Sequence, residues 1–401
     1  MRTPPGEVGG SPVGAAPPIR CWTHVTQPLA TDGSALNNVI RELSREAAGY
    51  GIRSAVAGSD NRGYVFPDAD LLPVDFTRYL PREYLLRREQ LADTVTGRLS
   101  FGRRAVARLY RPVAEALDAT EGPVLVHDGL LGAAGLVAIR ERHPNRPLHL
   151  YVHNGLSRSY SRTELRRFLS LCDSVICVSD SVRGAIAARL GSHPVCDRLV
   201  VVLNGVDTER FSPDDRWPSD RPSVLFVGMM TEFKGPHVLM EAVRQLHERG
   251  IDCPVTFLGS FTHAEGLGLS IYEEALRDAA RAVGPDVRFT PFVPNTELPD
   301  IYRRHSILVV PSQFDDPCPL VLFEGLASGL AVAASRRGGI PEIGGHAVRY
   351  FDTADELATE LAALVSDPVA RAGSGRLARE RALELPWSRT FETLRSIVGP
   401  P

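Results

Sequence analysis

The feature that most limits what this chain can fold into occurs twice: short apolar runs alternating with stretches of helical spacing. In the first half, VLVH (124–127), LHLYVH (148–153), SVICVS (174–179) and LVVVLN (199–204) read as strands. Each ends on a small or polar residue: His127, His153, Ser179 or Asn204. In open parallel sheets, ligands bind outside the carboxyl ends of the strands, so this recurrence marks a ligand-facing edge. A polar, proline-containing stretch, SPDDRWPSDRP (212–222), reads as a linker to a second series. That series is SVLFVG (223–228), PVTFLGS (254–260), VRFTPFV (287–293), ILVVPS (307–312), AVAAS (331–335) and VRYF (348–351). Two such series predict an α/β fold of two Rossmann-like domains facing across a cleft. The segment from about Leu385 to Val398 is predicted helical, with Trp387 and Phe391 as anchors.

Composition narrows the function without naming it. With 401 residues, two domains or one large one are expected, and 43% hydrophobic with 23% charged residues is ordinary for a globular protein. A net charge of −3 gives no global reason to expect nucleic acid. No apolar stretch approaches the roughly 18 residues of a membrane span. Residues 1–18, rich in Gly and Pro, read as a disordered tail rather than a signal peptide. The six cysteines show no CxxC or paired metal-ligand spacing, so reduced thiols and a cytoplasmic location are expected.

Within the second series one residue stands out. Lys234 is the only lysine among the 45 Lys and Arg residues. It falls between the strand-like Val224–Gly228 and a helical pattern with Val238, Leu239, Ala242, Val243 and Leu246 on one face. Pro236 suits the first turn of that helix. Strand-to-helix junctions of this kind commonly bind phosphate. The densest constellation lies further on, in PSQFDDPCPLVLFEGLASGLAVAASRRGGIPEI (311–343). Pro319 precedes a helix start whose free amides suit a diphosphate, and Glu324 lies where a carboxylate can accept from vicinal ribose hydroxyls. Glu324 alone would read as a helix-start carboxylate. Asp316, Gly338-Gly339 and Glu342 close by reverse that preference, with the glycines allowing close backbone approach to a ligand.

These motifs resemble the retaining GT-B glycosyltransferases of family 4, over roughly residues 20 to 398. VVLNGVDTERFSP (201–213) is similar to the family's domain junction, FVGMMTEFKG (226–235) to its phosphate loop, DPCPLVLFE (316–324) to its E-x7-E motif and GGIPE (338–342) to its glycine loop. Weaker matches are Gly33, His153 and Ser179. The resemblance implies a GT-B fold, with an acceptor-side domain over 19–205 and a nucleotide-sugar domain over 206–384. A C-terminal helix over 385–401 would cross back to the first domain. It also implies that Lys234 and the backbone of Leu320 and Val321 bind the donor diphosphate, with Gly228 and Gly339 in the donor loops. Glu324 would take the ribose, Asp316 the donor-sugar hydroxyls, and His153 would lie near the reacting sugar, with Gly33 near donor or acceptor. Lys234, Asp316 and His153 are the expected catalytic residues. The expected reaction moves a hexosyl or N-acetylhexosaminyl group from a nucleotide sugar, UDP-linked by preference, to a hydroxyl of a polysaccharide, glycolipid or secondary metabolite. No metal or other cofactor is expected.

Three positions depart from the family pattern. Met229 stands where an arginine pairs with the lysine, Pro319 replaces a glycine, and Asp316 shortens the first glutamate. Loss of one of two cations corresponds to roughly 3 kcal/mol of transition-state stabilisation, by analogy with one oxyanion donor. Arg336 and Arg337 are the candidates to replace it. A catalytically decayed nucleotide-sugar-binding scaffold is the non-enzymatic alternative, and a GT-B nucleotide-sugar epimerase the enzymatic one. A phosphorylase using pyridoxal phosphate would need Lys234 as its Schiff base, but Lys-Gly-Pro suits phosphate contact instead. Asp315-Asp316 lacks the third ligand a metal would require. From Arg78 to Arg111, nine arginines face three acids, which reads as a solvated helical face, as peripheral contact with an anionic membrane, or as a surface for a phosphorylated or otherwise acidic acceptor.

Overall fold

The computed structural model describes residues 17–26, 35–58, 66–75, 110–128, 132–213, 222–261, 268–284 and 286–401. Gly33, most of the amino-terminal tail, most of the 212–222 linker and nearly all of the arginine-rich 78–111 segment lie outside the described residues. Seven parallel strands form the first sheet: β1 (Trp22–Val25), β2 (Ser54–Gly58), β3 (Ala69–Pro73), β4 (Val124–Asp128), β5 (Leu148–Val152), β6 (Ser174–Cys177) and β7 (Leu199–Val201). Six parallel strands form the second: β8 (Val224–Val227), β9 (Val255–Leu258), β10 (Val287–Thr290), β11 (Ile307–Val310), β12 (Ala331–Ser335) and β13 (Val348–Phe351). Their spatial orders are 3-2-1-4-5-6-7 and 10-9-8-11-12-13. Both reverse direction beside their first strand, between β1 and β4 and between β8 and β11, and such switch points open a crevice at the carboxyl ends.

Burial on both faces explains the apolar runs. Along β8, Val224 and Phe226 join one core while Leu225 joins the other. Ile307 and Val309 of β11, and Ala331 and Ala333 of β12, follow the first pair; Leu308, Val310, Val332 and Ala334 follow the second. This period of two is what a strand sandwiched between helical layers requires. The helices used below are α1 (Ala35–Gly49), α2 (Asp180–Leu190), α3 (Pro236–Glu248), α4 (Leu320–Ala327) and α5 (Trp387–Val398). In α3 the predicted apolar face is buried through Leu239, Ala242, Val243 and Leu246.

The carboxyl-terminal helix joins the two halves. Phe391 of α5 is fully buried, 5.2 Å from the Trp22 ring and 5.3 Å from Tyr50. Trp22 Nε1 donates to Gly399 O at 3.0 Å, and Thr390 Oγ1 donates to Leu203 O at 3.0 Å. Among the described residues no helix is long and apolar enough to cross a membrane.

Candidate active site

The lone lysine is held by a turn that only glycine permits. After β8, the chain makes a short helical turn over Glu232–Lys234, and Gly235 adopts φ 73° before α3 begins at Pro236. A Cβ on Gly235 would lie 1.9 Å from Pro311 O, so the lysine loop is pressed directly on the end of β11. Gln313 N donates to Phe233 O at 2.7 Å across the same contact. Lys234 Nζ consequently reaches Asp316 Oδ2 at 2.8 Å and sits 5.1 Å from the Phe314 ring centroid. Ser312 Oγ donates to the same carboxylate oxygen at 2.9 Å. Asp316 O accepts from Gly339 N at 2.8 Å, which ties the loop after β12 to the pair.

Beside this pair is the start of α4. Pro319 precedes it and no side chain caps it, so its first amides lack partners within the helix. Leu320 and Val321, in that first turn, line a cavity of about 540 Å³ together with Gly228, Lys234, Asp316, Glu324 and His153. Glu324 is 8% exposed and accepts a hydrogen bond from Tyr302 Oη at 2.9 Å. Burial raises its pKa to about 6, against the opposing pull of Tyr302, Arg210 and Arg41. Arg210 donates to the backbone and side-chain oxygens of Asn295, beside this end of the cavity.

Across the cleft, the first sheet contributes a row of imidazoles: His24 from β1, His127 from β4 and His153 just past the end of β5. His24 Nδ1 lies 2.9 Å from His127 Nε2, and His127 Nδ1 lies 3.0 Å from His153 Nε2. The Tyr151 ring lies against His153, tilted by 33° with centroids 4.5 Å apart. Burial lowers the pKa of His153 to about 3 and of His24 to about 4; His127 is also well below the ordinary range through burial and its two neighbours. All three rings are neutral at physiological pH.

Of the expected residues, Gly228, Lys234, Asp316, Leu320, Val321, Glu324 and His153 thus meet around one cavity. Gly339 is absent from the cavity lining; a Cβ there would lie 2.1 Å from Pro317 O and 2.8 Å from Ser179 Cβ. Glu342 serves the first domain: its carboxylate accepts from Asp180 N at 2.6 Å and Ser181 N at 2.8 Å, at the start of α2. Ser179 caps the same helix through Val182 N. Met229 is 39% exposed and lines the cavity. Arg336 is turned towards β13, 5.1 Å from the Tyr350 ring and 3.8 Å from Asp352 Oδ2. Among the described residues there is no group of three or more His, Cys, Asp or Glu placed to hold a metal. Ser312, Phe314, Tyr302 and His24 escaped the sequence reading. Ser312 alone carried a local signal, four residues before Asp316 at a strand end.

Two Rossmann-like domains whose switch points face one cleft, with a cation and an uncapped helix start on the second, define the GT-B architecture. Solved structures of that fold superpose along nearly the whole chain. A sucrose-phosphate synthase from Thermosynechococcus elongatus matches with TM-score 0.74 at 18% identity, over 94% of this chain and 98% of that one. Anabaena HepE in complex with UDP-glucose matches with TM-score 0.70 at 16% identity, over the same shares. Residues 36–210 match Glycosyltransferase Family 4 and residues 221–367 match Glycosyl transferases group 1, and the chain belongs to the group 1 glycosyltransferases. Its relatives include D-inositol 3-phosphate glycosyltransferase 2 of Catenulispora acidiphila, 29% identical over 91% of this chain and 89% of that protein. Spore coat protein SA of Bacillus subtilis is 26% identical over 65% of this chain and 74% of that protein.

Proposed function

We propose that this glycosyltransferase moves a hexosyl or N-acetylhexosaminyl group from a UDP-linked donor to an acceptor hydroxyl with retention at the anomeric carbon. The observation that carries the reading is the Lys234–Asp316 pair, 2.8 Å apart beside the uncapped start of α4, with Glu324 buried in that helix. In this reading Lys234 and the first amides of α4 meet the charge that grows on the departing diphosphate. The bond from the sugar C1 to the phosphate oxygen breaks as the bond from C1 to the acceptor oxygen forms on the same face. The acceptor's proton passes to the departing phosphate oxygen, so positioning supplies the catalysis and no strong base is needed. With positive charge supplied by the chain, the reading needs no metal. Asp316 and His153 hold the sugar, and Glu324 accepts from the ribose hydroxyls. UDP in the Anabaena HepE complex and the inositol phosphate glycosyltransferases among the relatives favour a UDP-sugar and a phosphorylated polyol as the first donor and acceptor to try. Location in the cytoplasm, with peripheral contact to an anionic membrane, belongs to the same proposal.

A thermal-shift series with UDP-, GDP- and ADP-linked sugars tests the donor. Stabilisation grows as RT ln(1+[L]/Kd), so the UDP-sugars should give the largest rise in Tm. A larger rise with GDP- or ADP-sugars would reassign the nucleotide. The anomeric configuration of the product, read by NMR with chelator present, tests retention and independence from metal. Met229 in the cavity wall favours one rival, a scaffold that binds nucleotide sugar without turning it over. UDP-sugar binding without transfer to any acceptor and without donor hydrolysis would select that rival.

A further inference from the structure

The three histidines do more than pack. An N···N hydrogen bond between imidazoles needs one protonated and one bare nitrogen, and a neutral ring carries one proton. With bonds from His24 Nδ1 to His127 Nε2 and from His127 Nδ1 to His153 Nε2, the tautomers are coupled end to end. If His24 donates, its Nε2 is bare, His127 carries its proton on Nδ1, and so does His153. If the chain runs the other way, His153 is bare at Nδ1 and His24 carries its proton on Nε2. Mixed arrangements would make His127 an imidazolate, or an imidazolium buried between two neutral rings.

The far end of the row separates the two. His24 Nε2 is buried and has no hydrogen-bond partner among the described residues. A proton on that nitrogen would be an orphaned buried N–H, which folded proteins rarely tolerate; a bare lone pair is tolerated more often. The ring at the near end, His153, lines the cavity, and its Nε2 is already occupied by His127. We infer that His24 and His127 are positioning residues that hold His153 as a neutral ring protonated on Nδ1, so that it offers the cleft a hydrogen-bond donor and not a base. The oxygens of a bound sugar are the acceptors this donor fits. The inference rests on the donor-sugar site proposed above, and it explains how a histidine can sit there without competing for the acceptor's proton.

The test is spectroscopic and needs no substrate. In ligand-free, ¹⁵N-labelled full-length protein, two-bond ¹H–¹⁵N correlations report which ring nitrogen carries the proton, and His153→Gln identifies the His153 signals by their loss. Nδ1–H on His153 is expected; Nε2–H, or the doubly protonated ring, overturns the inference. In His127→Gln the carboxamide can accept from His24 and donate to His153, so the Nδ1–H pattern should persist. In His127→Phe both partners vanish and His153 should lose the fixed tautomer; an unchanged pattern in that variant overturns the positioning role. Should His127→Phe not fold, the wild-type spectrum still decides the tautomer. With an active donor–acceptor pair, His127→Phe should lower kcat about tenfold with little change in KM, and His127→Gln should recover most of that loss. Equal losses in both variants would mean packing alone. A failure of glycosyl transfer leaves the spectra untouched, so the two readings fail separately.

Discussion

At Glu324, burial and ligand binding pull in opposite directions. Enclosure raises the carboxyl pKa from 4.5 to about 6, so the folded state holds the proton more tightly than the unfolded chain does. Between those two values the native state carries the extra proton, and stability therefore falls as pH rises through this window. The charged form costs the fold about 2 kcal/mol above it. Glu324→Gln keeps an acceptor for Tyr302 and removes the charge. It should raise Tm by roughly 2–3 °C at pH 7.5, and the gain should vanish below about pH 4.5. The same variant should bind UDP-sugars more weakly, because a carboxamide oxygen is a poorer acceptor for two ribose hydroxyls. An equal Tm gain at both pH values would remove the burial argument. Lys234 invites the complementary test. Lys234→Ala and Glu324→Ala should each lower kcat/KM by roughly 10²-fold or more, and near-wild-type turnover in the lysine variant would sink the donor-site assignment.

At the scale of elements, what could be read ahead depended on whether a signal was local. AVAAS and VRYF became β12 and β13 residue for residue. SVICVS yields a shorter strand than its apolar run suggests: β6 ends at Cys177 because Ser179 leaves the ladder to cap α2. LVVVLN likewise shortens to Leu199–Val201 before the chain turns into the domain junction. Three strands of the first sheet were never singled out. β1 interrupts its apolar residues with Thr23 and His24, β2 is built from small residues in SAVAG, and β3 ends on Pro73 with much of its surface exposed. Lys234, Asp316 and Glu324 were legible because each sits in a compact motif. Tyr302 and His24 were not, since their partners lie 22 and 103 residues away and only the folded sheets bring them together. Glu342 was recognised but its contact was not. It lies within a ligand-like motif, yet its carboxylate meets the start of α2 in the other domain, where a negative group satisfies two amides and faces the positive end of the helix dipole. Glu342→Ala should therefore cost about 1–2 kcal/mol in urea unfolding. An unchanged midpoint would mean that the two bonds do not hold the domains together in solution.

The whole molecule is a two-domain protein with an unusual degree of sharing. One continuous apolar cluster contains Trp22, Leu125 and Ile176 from the first sheet, Leu308 and Val332 from the second, and Trp387, Phe391 and Leu394 from α5. Domains within one chain ordinarily meet through modest, polar surfaces and move independently. Here α5 follows the second domain in the chain but buries its largest ring against Trp22 of the first. Denaturing either domain thus uncovers apolar surface belonging to the other, at about 25 cal/mol for each Å² exposed. Two consequences can be measured together. Calorimetry of the intact chain should show the domains melting as one transition. Phe391→Ala, which empties a fully buried aromatic site, should cost about 3–5 kcal/mol and split that transition by releasing the first domain early. If the wild type already melts in two separate steps, and Phe391→Ala moves only one of them, the helix is a passive cover. In that case the cleft's geometry must be held by the domain junction and Glu342 instead.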